Sequence, residues 1–102
     1  MALEKIHLGD IGTSIRIRVQ EDSVDIDIST ATSMQIFLKP PSGSTSTKTA
    51  SFVTDGSDAL MQYISISGDI DEIGTWRAQG WVRLPQGDFF TESQSFKVDA
   101  NL

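Results

Sequence analysis

From residue 75 to residue 84 the chain alternates strictly. Trp76, Ala78, Gly80, Val82 and Leu84 fall on one side, and Thr75, Arg77, Gln79, Trp81 and Arg83 on the other. A period of two over ten positions predicts a half-buried β-strand. The acidic turn Asp69-Ile70-Asp71-Glu72 and then Ile73-Gly74 lead into it. Trp76 is placed to pin that turn to the core, so it is the expected core anchor.

The same period recurs along the rest of the chain, with no helical periodicity anywhere. Residues 3–8 predict a first strand with Ile6 and Leu8 inward and His7 outward. Gly9-Asp10-Ile11-Gly12 breaks it and is expected to carry the chain from one sheet to the other. Residues 13–19 point Ile15, Ile17 and Val19 inward, and residues 24–28 do the same with Val24, Ile26 and Ile28. Joined across residues 20–23, with Val19 opposite Val24, these two runs would set Arg18 against Asp25 and Arg16 against Asp27. Residues 33–39 turn Met34, Ile36 and Leu38 inward and Gln35, Phe37 and Lys39 outward, until Pro40 and Pro41 stop the strand. Residues 44–48 read as a polar loop and residues 49–53 as a weak edge strand. Residues 60–66 are apolar on both faces, so periodicity leaves their inner face open.

After Pro85-Gln86-Gly87-Asp88 the last strand covers residues 89–98. Pairing Leu84 with Phe89 keeps Phe89 inward but throws Phe96 and Val98 onto the wrong face, so a β-bulge is expected between Thr91 and Ser95. The sum is an all-β protein, a single immunoglobulin-like antiparallel sandwich of seven to eight strands over residues 1–102. Its expected core is Ile6, Leu8, Ile15, Ile17, Val19, Ile26, Ile28, Met34, Ile36, Leu38, Trp76, Ala78, Val82, Phe96 and Val98.

Composition narrows the function. A chain of 102 residues with 38% hydrophobic content buries only about two-thirds of its unfolded surface, so part of its stability is expected from assembly. A net charge of −6 argues against binding a phosphate backbone, and nucleic acid is not an expected partner. No apolar run approaches the ~18 residues of a membrane span, and MALEKIHLGD lacks the apolar centre of a signal peptide. There is no cysteine, hence no disulfide and no thiolate chemistry.

Candidate chemistry is sparse. His7 is the only histidine, and no partner in the sequence makes it a base. No G-x-S-x-G elbow or S-x-x-K accompanies the serines. Asp69, Asp71 and Glu72 are too closely spaced for an EF-hand loop and read as a turn whose carboxylates accept backbone N–H groups. The expectation is a non-enzymatic protein with no catalytic, metal or cofactor-binding residues.

With the strands laid out, the chain resembles the immunoglobulin-like N-terminal domain of tailed-phage baseplate upper proteins. The resemblance rests on HLGDIGTSIRIRV, VDIDISTATS, IFLKPPSG and GDIDEIGTWRAQGWVRLPQGDFFTESQSFKV, which together span about Ile6 to Val98. Its signatures fall on Gly9-Asp10, Ile28-Ser29-Thr30-Ala31-Thr32, Lys39-Pro40-Pro41-Ser42-Gly43, Gly68-Asp69 and Gly74-Thr75-Trp76. They are signatures of fold, and the proline turn is one residue longer here than in the family. The resemblance implies a virion protein, assembled in the host cytoplasm, that contacts other virion proteins and copies of itself. In the family, receptor-binding parts follow the domain. A copy ending at Leu102 is expected to be a tail, baseplate or head–tail adaptor, with a capsid decoration protein as the alternative. A carbohydrate-binding module for host glycan is a second alternative, with Trp81 and Phe37 stacking on sugar.

The outer face of the sheet around Trp81 is the expected contact surface. Phe37, Trp81 and Phe90 share it, with Arg77, Arg83 and Lys39 around them. In the register above, Glu92 would lie opposite Trp81 and Phe90 opposite Arg83. Aromatic residues ringed by arginine make the usual core and rim of an interface. The competing expectation is that the loop at residues 42–48 folds over the aromatics.

Overall fold

The computed structural model describes residues 6–101, so the first predicted strand lies partly outside the described residues. Among the described residues eleven short strands form two facing sheets and a small hairpin. They are β1 (Ile6–His7), β2 (Ser14–Arg18), β3 (Gln20–Glu21), β4 (Val24–Asp25), β5 (Ser33–Lys39) and β6 (Ser46–Thr49). β7 (Ser51–Phe52), β8 (Leu60–Ile64), β9 (Gly74–Leu84), β10 (Gly87–Phe90) and β11 (Gln94–Asp99) complete them. The larger sheet runs β1-β11-β9-β5-β6, with β10 on the upper half of β9, and the smaller runs β2-β8-β7. In immunoglobulin terms the smaller sheet is B-E-D. The larger is G-F-C with an added C′ strand (β6), and β1 pairs in parallel along the G edge. That parallel pair is the exception to the expected antiparallel arrangement.

The eleven segments exceed the expected seven to eight because single runs are interrupted. β10 and β11 are one strand broken by the predicted bulge. The register moves from Phe90↔Trp81 to Gln94↔Ala78, so Glu92 and Ser93 share the place opposite Gln79. β6 and β7 are one run that changes sheets at Ala50, whose N–H donates to the Met34 carbonyl at 3.1 Å. The chain also changes sheets between β1 and β2, across the Gly9-Asp10-Ile11-Gly12 break, as the glycines predict.

The core follows the alternation. All the expected core residues are buried except Leu8, Ile26 and Met34, which are half-buried and pack against it. Met61, Ile70, Leu84, Ala50 and Ala59 join them. β8 and the two residues after it turn Met61, Tyr63 and Ser65 inward and leave Ile64 and Ile66 exposed, which is why periodicity could not orient the run. Met61 fills the gap left by Gly80: a Cβ there would lie 2.1 Å from the Met61 Cε.

Three local expectations are corrected. First, Val19 pairs with Ile26, not with Val24, and β2 lies beside β8. The hairpin closes on Asp22 and Ser23, both at positive φ (51° and 65°), which suits a two-residue turn and sends Val24 out to the exposed tip. Arg18 still meets Asp25, at 2.8 Å. Arg16 instead bonds Ser14 Oγ at 3.2 Å, and Asp27 accepts the Ser29 N–H at 2.8 Å. Second, Leu84 pairs with Gly87, not Phe89, because the loop is only Pro85-Gln86. Third, residues 46–49 are not a loop but the edge strand β6, with Thr47 opposite Phe37. Serine and threonine suit an exposed edge, and β5 offers unpaired backbone groups there.

Gly56 holds the 55–58 turn against the core. It sits at φ +88°, its carbonyl accepts the Ile28 N–H at 3.0 Å, and an added Cβ would lie 2.9 Å from the Ser29 Cα. Backbone cannot yield as a methionine tip can. Gly56→Ala is therefore expected to cost about 2–3 kcal/mol, read from the urea midpoint.

Candidate interaction face

The outer face of the larger sheet is made by the odd positions of β5 and β9 and the even positions of β10. β9 is the centre. It carries β5 on one side, with Gln35 opposite Trp81 and Phe37 opposite Gln79, and β10 on the other, with Phe90 opposite Trp81. The expected pairs of Trp81 with Glu92 and Arg83 with Phe90 are thus replaced. Asp88 faces Arg83, and Glu92 sits in the bulge.

The shift is by two residues, so no side chain changes face and the aromatics still meet. Phe37 and Phe90 stack across β9 with ring centroids 6.3 Å apart and planes 26° from parallel. The Arg83 guanidinium lies over the Trp81 ring, 5.1 Å from its centroid. Asp88 holds Arg83 there, accepting from Nε at 3.0 Å and Nη2 at 3.2 Å. That forked bond keeps the Asp88 carboxyl below the usual aspartate range and raises the arginine in turn. Phe90 is 64% exposed and Trp81 half-buried. Of the 42–48 segment expected to cover the aromatics, residues 46–48 instead pair beside β5, while Thr45 borders the groove next to Phe37.

Arg77 stands lower on the same face. It donates to Ser93 Oγ at 2.7 Å and borders a shallow groove of about 270 Å³ with Phe37, Lys39, Thr45, Gln79 and Ser93. The bulge shapes the far wall. Thr91 Oγ accepts the Gly80 N–H at 2.8 Å, and Gln79 Nε2 donates to the Thr91 carbonyl at 2.8 Å. Asp88 and Ser93 were missed as parts of this face. The one available signal was the acid–base pair Arg83/Asp88, which only the tighter hairpin register brings together.

The acidic turn is a structural knot as well as a turn. Asp69 accepts the Ile66 N–H at 2.9 Å, the Lys48 ammonium at 3.0 Å and the Tyr63 hydroxyl. It thereby ties β6 of one sheet to β8 of the other. Glu72 accepts the Ser42 N–H at 3.2 Å and Ser42 Oγ at 2.7 Å, and its carbonyl takes the Trp76 indole N–H at 3.0 Å. Among the described residues no group of three or more His, Cys, Asp or Glu side chains could hold a metal ion.

Burial alone would raise the Asp69 carboxyl, but the Ile66 N–H, Tyr63 and Lys48 outweigh it and hold it below the ordinary aspartate value. Burial, and then the bond and charge of Asp69, push Tyr63 up from 10.0 to about 12. The two signs differ. The stabilisation from Asp69 is present above its unfolded pKa and is lost as pH falls through the lowered folded value. That from Tyr63 is complete below 10.0 and is lost as pH rises toward about 12. Urea midpoints across pH should fall at both extremes, and Tyr63→Phe should remove the alkaline fall.

No protein-family model matches the chain, and no curated protein matches it. Among solved structures it is similar to CopC from Methylosinus trichosporium OB3b. That likeness has a TM-score of 0.62 at 13% identity and covers 100% of this chain and 90% of that one. At this identity it concerns the sandwich fold alone.

Proposed function

We propose that this chain is a non-enzymatic structural protein of a tailed-phage particle. It serves as an adaptor of the tail, baseplate or head–tail region and works by protein–protein contact. The observation that carries the contact is the cluster of half-buried Phe37 and Trp81 with exposed Phe90 and Arg83 on the outer face of the larger sheet. Such a cluster, ringed by Lys39 and Arg77, has the make-up of an interface core and rim. The phage setting comes from the sequence resemblance described above. Sugar stacking is less favoured, because Arg83 already occupies a face of the Trp81 ring.

The test uses particles purified from infected cells. Trp81→Lys and Phe90→Lys should leave the circular dichroism of the free protein unchanged and remove it from particles. Normal incorporation of both variants would place the contact elsewhere. Copy number by quantitative mass spectrometry separates an adaptor, present in few copies, from a decoration protein covering a capsid lattice. Saturable binding on a glycan array, lost in Trp81→Ala, would favour a carbohydrate-binding module instead.

A further inference from the structure

The charges of this protein are unevenly placed. Of its eight Lys and Arg residues, Lys39, Arg77, Arg83 and Lys97 stand on the outer face of the larger sheet. Among the described residues Asp88, bound to Arg83, Glu92 and the half-buried Asp99 at the β1 edge are the acids on that side. A chain of net charge −6 thus presents one locally cationic face, with aromatic rings at its centre.

The opposite character appears where the 9–12 and 65–73 loops meet. Gly9 donates to the Ile70 carbonyl and Gly12 to the Ser65 carbonyl, both at 2.8 Å, so the two loops form one end of the sandwich. That end exposes Ile11 (67%), Ile66 (62%) and Ile73 (54%). It also carries Asp10, Asp71 and Glu72, while Asp69 is nearly buried and balanced by Lys48. It is an apolar tip in an acidic setting.

We propose that the aromatic face of one copy receives the isoleucine-rich acidic end of another, so that copies join head to tail. This rests on the reading of the face as a protein contact and names a second copy as the occupant. Apolar meets apolar and acid meets base, with a carboxylate of the end seated in the groove between Lys39 and Arg77. A symmetric face-to-face dimer would instead bring together two faces of the same net positive character, without the acidic end to balance them. A heterologous contact leaves a free face and a free end on every pair, so it builds open chains or rings rather than closed dimers.

Sedimentation of the purified protein at rising concentration tests this. The wild type should form species that grow with concentration. They should shrink between about 0.1 M and about 1 M salt, where screening contracts from ~10 Å to ~3 Å. Phe90→Asp spoils the face and Ile66→Asp spoils the end. Both side chains are exposed, so dichroism should show intact folds. Each variant alone should be monomeric. Mixed, they retain one good face and one good end, and should give a one-to-one dimer and nothing larger. A wild type that stays monomeric overturns the inference, as does a closed dimer indifferent to Ile66→Asp. If the wild type is monomeric while Trp81→Lys is still lost from particles, the face binds a different particle protein. The head-to-tail inference then fails and the proposed function stands.

Discussion

Trp76→Ala should cost about 3–5 kcal/mol, a large share of the ~5–15 kcal/mol that holds a domain of this kind. The indole is buried in the inner face of β9 and stacks on Phe96 with centroids 5.9 Å apart. Truncation leaves a cavity that neighbours on two rigid sheets cannot close. It also strands the Glu72 carbonyl that the indole N–H satisfies. Trp76→Phe separates the two terms. It keeps most of the packing and loses the hydrogen bond, so a loss of about 1–2 kcal/mol is expected. Urea denaturation of both variants gives the comparison, and a loss under about 1 kcal/mol for Trp76→Ala would show that another residue anchors this turn.

Asp69→Ala is expected to be similarly damaging, at about 3–5 kcal/mol. Its carboxylate is nearly buried and serves three donors at once. Removing it leaves the Lys48 ammonium beside Tyr63, 5.7 Å from the ring centroid, with its counter-charge gone and the Ile66 N–H without its acceptor. The double variant Asp69→Ala, Lys48→Met removes both charges and should recover part of the loss, because an apolar pair of similar size is often no less stable than a buried ion pair. If the double variant is as unstable as the sum of the singles, the two side chains do not act together.

The particulars of the structure show what a sequence of this kind can and cannot reveal. Faces were legible. Ile15, Ile17, Ile36, Leu38, Trp76, Ala78 and Val82 are all inward, because a strand's parity is written at every second residue. The bulge was legible for the same reason, since Phe96 and Val98 had the wrong parity without it. Registers were not. Both hairpins, Val19 with Ile26 and Leu84 with Gly87, differ from expectation by two positions. A shift of two preserves every face, so alternation cannot detect it. Each hairpin closes on two residues instead of four, a choice made by backbone torsions such as those of Asp22 and Ser23. The gathering of Phe37, Trp81 and Phe90 survived because it depends on parity. The Arg83–Asp88 bond escaped notice because it depends on register. The β6 edge escaped for a third reason: Ser46, Thr47 and Thr49 carry no apolar alternation to read.

The parallel pairing of β1 with β11 has a mechanical consequence. Ile6 lies beside Val98 and His7 beside Asp99, both strands running the same way. The Leu8 N–H continues the ladder to the Asp99 carbonyl at 2.9 Å, and the Asn101 side-chain amide donates to the Leu8 carbonyl at 2.7 Å. Tension entering ahead of β1 and leaving after β11 pulls these neighbours in opposite directions along their common axis. The hydrogen bonds then bear the load together, in shear, whereas an antiparallel hairpin pulled at its open end would peel one bond at a time. Tension along that axis would thus load a few residues at one edge of the sheet.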